Sequence, residues 1–242
     1  MNIKLPILFG AVGLALATAT PVLSAPLSAN GAVTSNYVFR GISQSGGNPA
    51  ASAGLDYDAG DLLPGLAVGT WVSSINFGND TPIEWDLYGS YTGTIVDKFT
   101  YNVGFITYNY PNSPHATNYN WAEGYVGLAY DFGVAQVSGK VFYSPDYVNL
   151  SDSEEYYTAG LTIPIASWLA LSANVGRTEL DHSVAPTIKG YTDWNLSLAA
   201  TFDAYTVTVG YASTDLNGVY KVTSGPFQTN DQFWVSVGFK LQ

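Results

Sequence analysis

The chain has no cysteine, so neither disulfides nor thiolate metal sites are open to it. Charge is scarce as well: charged residues make up 11% of the chain, against about 25% in soluble domains. That charge is lopsided, with 8 Lys and Arg against 19 Asp and Glu and a formal net charge of −11. So acidic a chain does not hold nucleic acid by neutralising phosphates, and it carries no polybasic patch for anionic lipid. Long apolar runs are missing too. Beyond residue 25, no segment approaches the ~18 apolar residues that a membrane helix needs. Yet 47% of the residues are hydrophobic. The apolar surface must therefore be spread in alternation, and alternation is a property of strands.

The stretch Thr192–Ser213 displays this pattern most clearly. Trp194, Leu196, Leu198, Ala200 and Phe202 fall on one face of an extended strand, and Asp193, Asn195, Ser197, Ala199 and Thr201 on the other. Asp203-Ala204 makes a tight turn, after which Tyr205, Val207, Val209 and Tyr211 oppose Thr206, Thr208, Gly210 and Ala212. Each apolar row begins and ends on an aromatic ring with aliphatics between. A soluble sandwich has no use for aromatic ends, whereas a strand crossing a bilayer places rings at both interfaces. Trp194 to Phe202 would extend ~30 Å, or ~21 Å along the membrane normal at ~45° tilt.

Met1–Ala25 reads as a secretory signal, with Lys4 as its positive start, Leu5–Ala19 as its apolar run and cleavage between residues 19 and 25. Loss of Lys4 with it takes the formal charge from −11 to −12. The rest, 26–242, reads as one β-domain. Val33–Ser43 opens it as a strand, with Val33, Ser35, Tyr37 and Phe39 on one face, and a flexible segment, Gly41–Pro49, follows. Further strands are expected over Ala51–Tyr57, Leu66–Phe77, Trp85–Tyr91, Phe99–Tyr110, Trp121–Phe132, Val134–Ser144, Tyr157–Ile163, Trp168–Thr178 and Phe233–Leu241, in addition to the hairpin. About twelve strands emerge, and their connections alternate between long and short. Outer-membrane barrels have short periplasmic turns and longer outer loops, so the expected fold is an all-β, antiparallel transmembrane barrel. A periplasmic β-sandwich is the alternative.

Candidate functional residues are sparse. The pair Asp181-His182 carries no motif-linked serine, and His115, like His182, falls in an expected loop; no catalytic residue, cofactor or metal is expected. Asp146, Asp152, Glu154 and Glu155 lack the spacing of a calcium loop and read as solvated, with at most loosely held divalent ions bridging to lipopolysaccharide. The candidate pore-lining residues are Arg40, Glu84, Asp86, Glu123, Lys140, Arg177, Asp193 and Lys240, all assigned to inward faces. They either neutralise each other or line water and select solutes. The small inward residues Ser197, Ala199, Thr208, Gly210 and Ser236 favour an open lumen.

The run Ser35-Asn36-Tyr37-Val38-Phe39-Arg40-Gly41-Ile42-Ser43-Gln44-Ser45, followed by Asn48-Pro49-Ala50 and Gly54-Leu55-Asp56-Tyr57, resembles the start of the TorF family of porin-like proteobacterial outer-membrane proteins. Gly69-Thr70-Trp71, Glu84-Trp85-Asp86-Leu87-Tyr88-Gly89, Tyr143-Ser144-Pro145-Asp146-Tyr147 and Tyr191-Thr192-Asp193-Trp194 extend the resemblance over nearly the whole chain. It implies an outer-membrane barrel and a pore, with no catalytic residues and no defined solute. The expected partners are outer-membrane lipid and lipopolysaccharide, the barrel-assembly machinery and small hydrophilic solutes. Acidic residues on the long-loop side, such as Asp80, Asp146, Glu155, Glu179, Asp215 and Asp231, predict a weak cation preference set at the outer mouth.

Overall fold

The computed structural model describes residues 26–242 apart from 61, 79, 112, 114–118, 150–152, 182–188, 219–220 and 242. Met1–Ala25, His115, His182 and Asp152 thus lie outside the described residues. Twelve of the described strands close into one antiparallel barrel. In chain order they are β1 (Leu27–Thr34), β4 (Ala50–Asp58), β5 (Leu66–Ser74), β6 (Ile83–Val96), β7 (Phe99–Asn109), β8 (Trp121–Asp131), β9 (Gln136–Ser144), β10 (Glu154–Ala166), β11 (Leu169–Leu180), β12 (Gly190–Phe202), β13 (Tyr205–Thr214) and β14 (Gln232–Leu241). Two short strands, β2 (Val38–Phe39) and β3 (Ile42–Ser43), pair only with each other. Each barrel strand hydrogen-bonds its sequence neighbours, and β1 closes the ring by pairing with β14, Val33 opposite Val237. Both edges of every wall strand are thereby paired, which is the condition for a sheet to sit in lipid.

The outer face is the apolar one. Val207, Val209, Val235, Val237, Leu196 and Leu128 are all exposed, as a lipid-facing surface requires. Rings gather at its two rims: Trp168 stacks on Phe202 at the end with the tight turns, and Tyr211 meets Phe233 at 5.0 Å at the end with the long loops. Such belts belong at the membrane interfaces. The protein is therefore a transmembrane β-barrel of the Gram-negative outer membrane.

Most expected strands are present, with their faces as the alternation assigns them. Several boundaries differ: β5 ends at Ser74 instead of Phe77, and β6 runs from Ile83 to Val96 instead of Trp85 to Tyr91. β10 starts at Glu154 and continues past Pro164 to Ala166 through a register shift, the kind of irregularity where a strand tolerates a proline. A larger difference lies at the start. The first wall strand stops at Thr34 instead of running to Ser43, and the chain turns into the lumen. Tyr37 and Val38 are buried inside at 6% and 3% exposure, not presented to lipid. Asn36 is the pivot of that turn. Its amide donates to Gln232 Oε1 at 2.7 Å, while its own Oδ1 accepts from the Ser43 and Ser45 hydroxyls. Those bonds tie both legs of the segment to β14 and to each other. A period-two pattern cannot reveal such a departure, because it is silent about what covers each face.

Candidate functional site

The segment Gly41–Pro49, read from sequence as flexible, has a defined place in the fold as part of 35–49. Its β2–β3 hairpin folds into the barrel, with Phe39 paired to Ile42 and Arg40-Gly41 at the tip. Both tip residues have positive φ (46° and 77°), as a type I′ turn requires. At Gly41 any side chain would also strike the wall, since a Cβ there would lie 2.6 Å from Thr214 Cγ2 and 2.9 Å from the Ser213 carbonyl oxygen. The hairpin base is held by the loops: Ser43 N–H donates to the Gln228 carbonyl, and Asn76 N–H donates to the Gln44 carbonyl.

From this tip Arg40 reaches across the lumen. Its Nη2 donates to Glu123 Oε2 at 2.7 Å and its Nη1 to Glu154 Oε1 at 2.8 Å, joining the hairpin to β8 and β10. Its guanidinium lies over the rings of Tyr156 at 4.1 Å and Phe39 at 4.7 Å. The Tyr108 hydroxyl donates to the other oxygen of Glu123 at 2.7 Å. On the neighbouring wall Glu84 accepts from Tyr37 at 2.6 Å and from Tyr110 at 2.9 Å. The barrel register sets this arrangement. Ser144 sits opposite Glu154, and Asp86 opposite Tyr108, so carboxylates and phenols from successive strands come to the same level.

The candidate residues fall into three groups. Arg40, Glu84, Asp86, Glu123 and Asp193 converge at the hairpin level, all buried except Arg40's backbone neighbourhood at the tip, where the side chain itself is 5% exposed. Lys140 and Lys240 also face inward. Lys140 is buried with Nζ 4.8 Å from the Tyr125 ring centroid, so a ring face meets it. Lys240 lies near the tight-turn end, opposite Asn30. Arg177 is a correction. It shares the outward face of β11 with Val175, and its half-exposed side chain donates to Glu179 at 2.8 Å and approaches Asp215 at 3.8 Å. Its odd position in the row Leu169, Leu171, Ala173, Val175 dictates that face.

Glu154 is the converse correction: read from sequence as part of a solvated acidic loop, it opens β10 and is 2% exposed against Arg40. The described lumen at this level therefore holds Glu84, Asp86, Glu123, Glu154 and Asp193 against Arg40 and Lys140. Gly210 does not leave space for water either, because the Trp234 ring lies over it. Below the hairpin the wall changes character. Asn195, Ser197, Thr208, Ser172 and Ser236 are inward-facing, small and polar, and only partly buried.

On the long-loop side the hairpin bounds a cavity of about 430 Å³. Its lining comprises Tyr37, Phe39, Ile42 and Gln44 of the hairpin segment, Glu84, Tyr108, Tyr110, Trp121 and Tyr191 of the wall, and Phe77, Tyr119, Tyr147, Val148 and Phe227 of the loops. Tyr108 and Trp121 stack at 4.2 Å, Tyr147 meets Trp121 edge-on at 4.8 Å, and Phe77 meets Phe227 at 4.6 Å. Burial, with the Glu154 charge nearby, pushes the Tyr147 hydroxyl above its ordinary pKa and keeps it protonated. Val148 and Phe227 have positive φ, 45° and 54°, an uncommon state for bulky residues. Among the described residues, no three potential metal ligands cluster.

The closed barrel is similar to two solved porin structures. One is described as the NanC porin in a rhombohedral crystal form, with TM-score 0.60 and 18% identity, covering 89% of this chain and 100% of that one. The other is the KdgM porin, with TM-score 0.59 and 8% identity, covering 89% and 99%. At these identities the likeness is one of fold. No curated protein matches the chain in sequence. A family model described as "Bacterial protein of unknown function (Gcw_chp)" matches residues 18–240. The chain belongs to the Gcw_chp family of bacterial proteins.

Proposed function

We propose that this barrel is a porin-like channel for passive diffusion of small hydrophilic solutes, with the Arg40 hairpin as its constriction. The observation that carries the reading is the change in the lumen wall: packed and charged at the hairpin, small-polar and less buried beneath it. An eight-stranded barrel is filled by its own side chains and sixteen strands leave open water; twelve with one inserted hairpin leave a narrow path. The fold shared with structures described as porins supports it. So does the resemblance to the TorF family, whose most specific block here, Ser35–Ser45, is the segment that forms the constriction. A channel role needs no reacting groups, and we read the protein as a non-enzyme.

The excess of carboxylates over basic groups at the hairpin gives the channel a weak cation preference, reinforced by acidic loop residues at the mouth. The test is conductance of the purified protein in planar bilayers, with reversal potentials across a salt gradient. Discrete channels with cation preference at low salt, fading toward neutrality at 1 M, are expected as exposed charge is screened. Anion preference at low salt would mean that Arg40 and Lys140 set the filter. Absence of conductance from folded protein would make the barrel a closed structural one.

A further inference from the structure

Among the described residues that line the cavity above the hairpin, Glu84 is the one charged side chain. It is 3% exposed and sits beneath a wall of rings, and among the described residues no lysine or arginine lines the space with it. Its two oxygens each accept one phenol hydrogen bond, from Tyr37 and Tyr110. A carboxylate has about four acceptor sites, so lone pairs remain for a further donor. The rings around it present negative faces, which attract cations, Trp most strongly. The protein uses this same chemistry for its own cations: Arg40 lies over Tyr156 and Phe39, and Lys140 over Tyr125. In the cavity Arg40 serves Phe39 and Trp121 from the hairpin side, whereas Glu84 is bonded by the phenols of Tyr37 and Tyr110 and the rings of Phe77, Tyr147 and Phe227 stand on its far side.

A sugar would need a fan of polar side chains around its hydroxyls. Here the phenols of Tyr37, Tyr108 and Tyr110 are already committed to Glu84 and Glu123, and the Gln44 amide donates to the Ile42 carbonyl, which leaves chiefly the Tyr147 and Tyr191 hydroxyls, too few for such a fan. An anion would meet Glu84 with nothing in the lining to offset it. The volume, about 430 Å³, is within the ~300–1,000 Å³ of pockets that hold small organic molecules. The geometry points to a binding site for organic ammonium ions with an apolar body, a primary amine on an aromatic or branched aliphatic skeleton. The ammonium group donates to Glu84 and the skeleton lies among Trp121, Tyr147, Phe77 and Phe227. This rests on the channel reading only in making such amines the solutes that enter from the long-loop side.

The test uses the folded full-length barrel in detergent, titrated with phenethylammonium at low ionic strength and followed by calorimetry and tryptophan fluorescence. Its isosteres 2-phenylethanol and phenylacetate serve as the neutral and anionic comparisons. One saturable site is expected for the ammonium ion, with both isosteres at least tenfold weaker. Glu84→Gln should remove the preference for the cation and leave binding of 2-phenylethanol unchanged. Phe227→Ala, a half-exposed loop change that spares the wall, should weaken phenethylammonium severalfold and keeps the test open should Glu84→Gln fail to fold. Equal binding of the three probes, or cation affinity untouched by both substitutions, would overturn the proposal. Conductance separates it from the channel reading: a barrel that conducts but binds no ammonium ion loses the site alone. One that binds but does not conduct keeps the site and loses the channel.

Discussion

Replacing Arg40 by alanine removes both charge-assisted bonds that pin the hairpin across the lumen, at 2.7 Å to Glu123 and 2.8 Å to Glu154. The side chains concerned are 5% exposed on Arg40 and 1% on each glutamate, so water does not screen them in the folded state. A hydrogen bond to a charged group contributes ~1.5–3 kcal/mol, which gives ~3–6 kcal/mol for the two. The loss is bounded in a second way, because removing one partner of a buried ion pair typically costs ~3–5 kcal/mol by stranding the other charge. Glu123 keeps its bond from Tyr108, so the stranding falls mainly on Glu154. The expected loss is therefore about 3–5 kcal/mol, read by urea unfolding of protein refolded into vesicles and followed by tryptophan fluorescence. In the triple variant R40M/E123Q/E154Q no charge is stranded, and at least half of the loss should return. Arg177→Ala supplies the control: its pairs are half-exposed on the outer face and should be worth only ~0–1 kcal/mol. Single-channel conductance should rise in Arg40→Ala as the tip is freed. A loss below about 1 kcal/mol, or a triple variant as unstable as the single one, would refute the account of Arg40 as the anchor of the constriction.

Other substitutions probe the faces and the hairpin turn. Val207→Arg puts a charge on the lipid face near mid-barrel and should cost ~2–4 kcal/mol, while Thr208→Arg, facing the lumen, should cost distinctly less; equal losses in folded yield would show a wrong register. Gly41→Ala forces a Cβ to 2.6 Å from Thr214 at φ 77°, so it should destabilise the hairpin by ~1–3 kcal/mol and raise conductance; unchanged conductance would mean that the hairpin does not limit the pore. In the loop before β14, the Ser213 and Tyr211 hydroxyls donate to Asp231 at 2.7 and 2.9 Å and hold its carboxyl below the ordinary value. Such a depressed group stabilises fully above the unfolded value near pH ~4 and loses that contribution as pH falls through its lower folded value. Ser213→Ala should move the Asp231 titration upward in NMR, and an unmoved midpoint would discount the bond.

How much of this was legible beforehand follows from what each signal reports. Alternation is a local property of a strand, and the rows Trp194 to Phe202 and Tyr205 to Tyr211 identify the lipid face because lipid accepts only apolar side chains along the whole row. The strand number followed from turns and loops of alternating length, and inward placement of Glu84, Asp86, Glu123 and Asp193 from parity alone. Parity also places Arg177 outward, in one row with Val175. Three features needed the closed barrel. Tyr37 and Phe39 continue the parity of Val33, yet Asn36 turns the chain and the hairpin lies inside, because its bonds come from Gln232, Ser43 and Ser45. Glu154 reads as one member of an acidic loop until β10 carries it to Arg40, 114 residues away in sequence. The cavity around Glu84 is built from the hairpin, four wall strands and four loops, none of which signals the others. The sequence by itself determined the wall, since each wall residue answers to the medium it faces. The tertiary structure decided the constriction and the candidate site, since desolvated charges and rings acquire their meaning from partners that only ring closure brings within a few ångströms.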